Sequence, residues 1–337
     1  MPVRYFKYDK PFKLESGEEL PSLTIAYHTF GKQNGDNVIW VAHALTANSD
    51  VADWWPHSVD EGCFLDSSKY FVICANILGS HYGTTGPLSE NPLSGEPYYG
   101  SFPFITVRDM ANVHFLLAEH LGITSVRALV GSSIGGFQAL EMAISRPDFS
   151  EKLVLIATTA RSQPWAIALN ESQRMAIETD ETYGDKDPDA GKKGMRVSRS
   201  IGLLSYRGSS GYNATQQEND TMYKLTGFRA TTYQQYQGDK LGRRFNAYSY
   251  YRLMQAFDSH NVGRYRGGIK NALKVIRAKT MIVGISSDIL FPVSEQIFLY
   301  SNIENSDLRL LSSEFGHDGF LVEHEQLNKI LIPFIQE

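Results

Sequence analysis

Gly131-Ser132-Ser133-Ile134-Gly135 lies between a mostly apolar run, Val126 to Val130, and an amphipathic segment, Phe137 to Ile144, whose apolar residues recur at helical spacing. Strand, Gly-x-Ser-x-Gly and helix in that order describe a nucleophile elbow. The chain turns sharply from strand to helix and presents Ser133 at the apex in a strained backbone conformation. The flanking glycines let neighbouring backbones approach, and the helix aims its free amides and positive dipole end at the serine. The five-residue pattern alone is common, because Gly and Ser abound in loops; the flanking strand and helix give it meaning. Ser132 is adjacent, but only Ser133 is centred between the two glycines.

An elbow serine needs an orienting acid and a base, in the chain order Ser, Asp/Glu, His. Thr280 to Ile285 reads as a buried strand and runs into Ser286-Ser287-Asp288. Leu308 to Leu311 reads as another strand, followed by Gly316-His317-Asp318-Gly319. In open α/β sheets, functional groups collect at the carboxyl ends of strands. The expected roles are therefore Ser133 as nucleophile, Asp288 as the acid that orients the imidazole, and His317 as general base.

The competing reading of Asp288 is a helix N-cap ahead of the segment from Val293. Among nine histidines, only His317 combines a late position, a strand end and a glycine turn. His28 and His43 lie near early strands, His57 and His81 in early loops, and His114, His120 and His324 on predicted helices. His260 sits in a polar stretch with no preceding strand. An oxyanion hole needs the amide after the nucleophile, Ile134 N–H, and one from an early strand-to-helix loop. The strand Val38 to Ala42 runs into His43-Ala44-Leu45-Thr46-Ala47-Asn48, and Leu45 N–H is the expected second donor.

Composition bounds the function. The 337 residues, 42% hydrophobic and 20% charged, are ordinary globular material. A net charge of −5 with no long basic run gives no support to nucleic-acid binding. No apolar stretch is long enough to span a bilayer, and Met1-Pro2-Val3-Arg4-Tyr5 lacks an apolar signal core, so a cytoplasmic protein is expected. Cys63 and Cys74 have no metal-type spacing, and Cys74, inside the apolar run Tyr70 to Ala75, reads as a small buried hydrophobe.

Phe12 to Gly31 reads as an N-terminal hairpin turning near Ser16-Gly17. Strands are expected near 38–42, 70–75, 126–130, 153–157, 280–285 and 308–311, with helices such as Val107 to His120 between several of them. Such alternation predicts an α/β fold, a mostly parallel sheet with helices on both faces. The stretch from Arg161 to Lys274 breaks it. Rich in Tyr, Gln, Arg and Asn, it reads as a helical lid (residues 161–274) inserted into a core of residues 1–160 and 275–337. A lid above the elbow would shape the pocket and limit water access.

The chain resembles the homoserine O-acetyltransferases, enzymes of the α/β-hydrolase fold in methionine biosynthesis, over nearly its whole length. The segments that carry the resemblance are His43-Ala44-Leu45-Thr46, Asn76-Ile77-Leu78-Gly79-Ser80, Gly83-Thr84-Thr85-Gly86-Pro87, Asn91-Pro92, Phe102-Pro103 and Thr106-Val107-Arg108-Asp109-Met110. Later come Gln237-Gly238-Asp239-Lys240-Leu241, Ser259-His260-Asn261-Val262-Gly263-Arg264, Ser287-Asp288-Ile289-Leu290-Phe291-Pro292 and Gly316-His317-Asp318-Gly319-Phe320-Leu321. The family usually shows Gly-Gly-Ser-Met-Gly-Gly at the elbow, where this chain has Gly131-Ser132-Ser133-Ile134-Gly135-Gly136.

The resemblance implies a two-step acyl transfer in which acetyl-CoA is a co-substrate and no resident cofactor or metal takes part. Ser133 takes the acetyl group from the thioester, CoA leaves, and the hydroxyl of L-homoserine accepts it. The family's amino-acid site maps onto Arg199 for the carboxylate, Tyr206, and Asp318 for the ammonium. Read from the residues alone, Arg199 is a solvated helix residue. The resemblance also implies a homodimer paired through the lid helices, with Tyr248, Tyr250, Tyr251 and Phe257 as the offered surface. The residues alone leave open succinyl-CoA as donor, serine as acceptor, a plain esterase, or a non-enzymatic binding protein on this fold.

Overall fold

Runs such as Val38-Ile39-Trp40-Val41-Ala42 are apolar throughout, as strands covered on both faces must be. In the computed structural model, which describes residues 2–337, eight strands form one sheet. They are β1 (Arg4–Tyr8), β2 (Leu23–Phe30), β3 (Val38–Ala42), β4 (Phe71–Ala75), β5 (Val126–Ser132), β6 (Ser150–Ile156), β7 (Lys279–Ile285) and β8 (Ser306–Leu311). Their order across the sheet is β1-β2-β4-β3-β5-β6-β7-β8. The pairs β1/β2 and β2/β4 are antiparallel, and the rest are parallel.

Residue alternation assigns the two faces. Trp40, Leu129, Leu153 and Leu155 pack under α1 (Val107–His120) and α2 (Ile134–Ser145). Ile39, Val41, Val130, Val154 and Ile156 face the other way, toward Trp55, Phe64 and the C-terminal helix. Cys74 is buried in that second layer. Truncating a buried ring such as Trp40 would cost about 3–5 kcal/mol through lost contacts and the cavity left behind.

The expected hairpin over Phe12 to Gly31 holds only in its first half. Phe12–Lys13 pairs with Glu19–Leu20 across a turn at Gly17, whose φ is +92°. β2 leaves that hairpin and pairs with β1 and β4. The reason is burial: most of β2 is buried, so its backbone amides and carbonyls need partners on both edges. Its outer partner β1, Arg-Tyr-Phe-Lys-Tyr, is a half-exposed edge strand with little apolar signal of its own.

Between β6 and β7 the described residues contribute helices and no strand of the sheet. The main ones are α3 (Pro164–Glu178), α4 (Lys192–Tyr206), α5 (Ser209–Gln216), α6 (Arg229–Gly242) and α7 (Ala247–Asp258). Beyond them, α8 (Val293–Tyr300) and α9 (His324–Gln336) complete the core. Among the described residues no helix is long and apolar enough to cross a membrane.

Two of the sequence segments that carry the family resemblance meet where the insertion joins the core. Arg108 reaches Glu15 (2.6 Å), Glu141 (3.2 Å) and the carbonyl oxygen of Arg264 (3.0 Å). Arg266 adds a second cation to Glu141 at 2.8 Å. Glu141 lies on α2, the helix that follows Ser133, so this buried network clamps the insertion to the elbow helix. Thr106 and Asp109 close the start of α1 with a reciprocal capping box.

Candidate active site

Ser133 adopts φ 55°, ψ −126°, the strained conformation expected at an elbow. Its amide donates to the carbonyl oxygen of Ile156 (2.9 Å), and its own carbonyl oxygen accepts from Thr158 Oγ1 (2.9 Å). The flanking glycines are required by space. A Cβ on Gly131 would collide with the Gly135 carbonyl oxygen, and one on Gly135 with that of Ala42 at the end of β3.

The three expected residues meet. His317 Nε2 lies 2.8 Å from Ser133 Oγ, and His317 Nδ1 lies 2.7 Å from Asp288 Oδ2. All three are buried, and they stand at the carboxyl ends of β5, β7 and β8. Asp288 is not the N-cap of α8; Pro292 holds that position without a side-chain cap. Instead Asp288 Oδ1 accepts the amides of Leu290 (2.8 Å) and Phe291 (2.9 Å), which aims Oδ2 at the histidine. Burial works against a charged ring at His317. The Asp288 carboxylate outweighs it, with help from Asp318, and raises the imidazole above the ordinary histidine range.

Other buried histidines behave as structural groups. Burial pushes His43 and His114 down to about 4 and His260 down to about 3. His43 Nε2 accepts the Ile77 amide (3.1 Å), His114 faces Gln138 (2.8 Å), and His260 stacks on Phe137 at 3.9 Å.

A cavity of about 440 Å³ opens over the serine. Ser133, His317, Leu45, Arg199, Tyr206 and Asp318 all line it. Leu45 packs on the apolar cluster of Ile134, Phe137, Phe257, Leu290 and Phe291, so both expected oxyanion residues belong to one apolar cluster. Ile134 opens α2, where first-turn amides have no helical partner. The Leu45 loop is braced from behind, since Ser49 N–H donates to Asn76 Oδ1 (2.8 Å) and Asn76 Nδ2 donates to Ser49 Oγ (2.8 Å). Arg244, beyond α6, reaches the Thr46 carbonyl oxygen (2.5 Å) and Tyr82 Oη (2.6 Å), tying insertion to loop.

Arg199 and Tyr206, two helical turns apart on α4, share one face, and the guanidinium lies 5.1 Å over the phenol ring. Burial disfavours the Arg199 charge, but Tyr250, Tyr206 and Asp318 offset this and leave it raised. Asp318 pairs with Arg207 at 3.3 Å, a partner that sequence reasoning did not supply. Gln237, Lys240 and Arg244 on the cavity wall were not singled out as site residues either, although Gln237 and Lys240 lie in a segment that carries the resemblance. Their positions become visible only when α6 packs over the core.

Residues 37–324 match the family model of the alpha/beta hydrolase fold. A homoserine O-acetyltransferase of Cyclobacterium marinum is 44% identical over 100% of this chain and 96% of its own. The solved homoserine O-acetyltransferase of Staphylococcus aureus, 26% identical, superposes with a TM-score of 0.83 over 100% of this chain and 95% of that one. Esterase E22, at 21% identity and a TM-score of 0.88 over 99% of both chains, shares the fold. Near-complete coverage by close relatives and the matching fold lead to one assignment: the chain belongs to the homoserine O-acetyltransferase family of the alpha/beta hydrolase fold.

Proposed function

We propose that this protein transfers the acetyl group of acetyl-CoA to the hydroxyl of L-homoserine through an acyl-serine at Ser133, the reaction named in its relatives and a step of methionine biosynthesis. The observation that carries the site assignment is the hydrogen-bonded chain Ser133–His317–Asp288 opening into a cavity that also holds Arg199, Tyr206 and Asp318. His317 takes the Ser133 proton as Oγ attacks the thioester carbonyl, and the amides of Leu45 and Ile134 receive the developing oxyanion. The C–S bond breaks, and CoA leaves with the proton from His317. Homoserine then enters. His317 removes its hydroxyl proton, the alkoxide attacks the acyl carbon, and the proton returns to Ser133 as O-acetylhomoserine departs.

An alcohol must outcompete water at the acyl-serine, so the acceptor has to be held. Arg199 supplies a forked donor suited to a carboxylate. Asp318 supplies a carboxylate for the ammonium beside the base. The helical insertion over 161–274 acts as the lid that carries Arg199 and Tyr206. Asp318 and Arg199 favour a charged amino-acid acceptor over the apolar alcohol of a plain esterase.

The reading extends to a cytoplasmic homodimer paired through the lid. Three of the four aromatics expected at that surface are not on it: Tyr248, Tyr250 and Phe257 are buried, and Phe257 lines the cavity, while Tyr251 is half-exposed. Large aromatic side chains on an amphipathic helix fill the interior first. Val197 and Leu204 on α4 and Tyr236 on α6 are among the exposed apolar residues of the lid, and these form the proposed contact.

The test is thiol release from acetyl-CoA and succinyl-CoA, each with homoserine, with serine and without acceptor. Fast release only with acetyl-CoA plus homoserine is expected. Equal release with no acceptor would make the protein a hydrolase.

A further inference from the structure

The lid contains a buried chain of hydrogen bonds whose direction is set by chemistry. It starts at Asp258 on α7, a carboxylate that can only accept. Asp258 Oδ2 takes Arg174 Nη1 (2.6 Å), and Oδ1 takes Asn170 Nδ2 (2.7 Å). That fixes the Asn170 amide with Oδ1 toward Gln173, whose Nε2 donates to it at 3.3 Å and to the Leu169 carbonyl oxygen at 3.3 Å. Gln173 is therefore left with Oε1 as its free end, and Tyr250 Oη donates to it at 2.7 Å.

The single phenolic proton of Tyr250 is used in that bond. Its oxygen keeps lone pairs, and the side chains gathered beside it, Tyr206, Arg199 and Ser198, are donors. Tyr206 spends its proton on Tyr250, so its oxygen is left as an acceptor on the cavity it lines. The chain closes only because α4 has no side chain at Gly202. A Cβ there would collide with Gln173 Oε1 and lie 3.3 Å from Tyr206 Oη. Tyr250 and Gln173 are buried, and neither lines the cavity.

We infer that Tyr250 is a positioning residue for amino-acid selectivity: as the acceptor end of the Asp258–Asn170–Gln173 chain, it holds Arg199 aimed at the acceptor's carboxylate and holds Tyr206 as an acceptor for its ammonium. The inference rests on the proposed amino-acid site at Arg199, Tyr206 and Asp318. It explains how the Arg199 guanidinium keeps one orientation between turnovers. A free Arg would have to be ordered anew at each homoserine binding event.

The test uses Tyr250→Phe and Gln173→Leu in the full-length protein, with Arg199→Ala as reference. The acetylation burst from acetyl-CoA, which involves no amino acid, is expected to be unchanged in Tyr250→Phe and Gln173→Leu. The KM for homoserine is expected to rise about ten- to a hundredfold in Tyr250→Phe and Gln173→Leu, the range for a lost hydrogen bond to a charged group. Hydrolysis of the acetyl-enzyme should gain on transfer to the same degree. If Arg199→Ala transfers normally, the amino-acid site itself is misplaced. If Arg199→Ala loses transfer while Tyr250→Phe and Gln173→Leu keep the wild-type KM, the positioning role alone is overturned. A parallel loss of burst and transfer, with a lower Tm in both variants, would mean that the chain only holds the lid together, and this too overturns the inference.

Discussion

Gly208, between α4 and α5, and Gly316, one residue before His317, meet backbone against backbone. A Cβ on Gly316 would collide with the Gly208 amide nitrogen, and a Cβ on Gly208 with the Glu314 carbonyl oxygen. Gly316 also has φ +65°, a left-handed conformation that a side chain resists. The turn that carries the proposed base is thus seated directly on the helical insertion.

This contact predicts a catalytic effect from a residue that lines no part of the cavity. Gly208→Ala must push the Glu314–Gly316 turn outward and disturb the 2.8 Å spacing of His317 Nε2 and Ser133 Oγ. A misplacement near 1 Å costs on the order of a hundredfold in rate. The acetylation burst should slow by about that factor while the far-ultraviolet spectrum stays native. A variant with a lower Tm but a normal burst would show that the contact serves stability alone.

Ser133→Ala should lower turnover on the order of a millionfold, as removal of a triad nucleophile does. Ser132→Ala should matter far less, because the Ser132 side chain is buried and has no hydrogen-bond partner among the described residues. Mass spectrometry after an acetyl-CoA quench should place the acetyl group on Ser133. Initial-rate plots should show the parallel lines of a ping-pong reaction. An acetyl group found elsewhere would remove the assignment.

His317 must be neutral to accept a proton, and its raised pKa sets where that condition fails. Activity should fall as pH drops through that value, so the acid limb of acetylation should lie above the pKa of a free histidine, about 6.5. The stability linkage has the opposite sense. The ion pair with Asp288 stabilises the fold fully below the unfolded histidine pKa and is lost as pH rises through the folded one. Asp288→Asn should move the acid limb downward and slow acetylation by about ten-thousandfold, as in other triads that lose this acid. A pH profile identical to that of the parent protein would separate Asp288 from the base.

Arg199→Ala tests the acceptor site. A lost charge-assisted hydrogen bond costs roughly 1.5–3 kcal/mol, so the homoserine step should weaken about ten- to a hundredfold. Acetylation of Ser133 should be nearly unaffected, and the stranded acetyl-enzyme should lose its acetyl group to water. Comparing burst with O-acetylhomoserine yield decides the matter. A joint fall would mark Arg199 as structural or as a CoA contact.

The lid surface predicts the assembly. Val197 and Leu204 are 55% and 57% exposed on α4, and Tyr236 is 51% exposed on α6. Pairing through them should give a two-fold dimer, which Leu204→Asp should dissociate. Light scattering at micromolar concentration that returns a mass near the 37.8 kDa chain for the parent protein would end this reading.

Much of the site was legible because its chemistry is local. An elbow serine needs small neighbours in the next few positions, the Asp288 turn follows a plainly apolar run, and the His317 turn follows the leucine-rich segment Leu308 to Leu311. The edge strand Arg4–Tyr8 was not legible, since a half-exposed strand has little apolar contrast. The burial of Tyr248 and Tyr250 was not legible either, because an aromatic residue on a helix has the same letter whether it faces a partner or a core.

By itself, the sequence determined the strand–elbow–helix unit, the chain order of Ser133, Asp288 and His317 at strand ends, and the helical character of residues between the core strands. These follow from periodicity and turn chemistry within a few residues. Only the tertiary structure decided that Arg207 pairs with Asp318, that Arg244 ties the helical insertion to the Leu45 loop, and that Gln173 reaches Arg199 through Tyr250. Those partners are far apart along the chain, and such contacts exist only once burial has brought separate helices together and each buried polar group has had to find a hydrogen-bond partner.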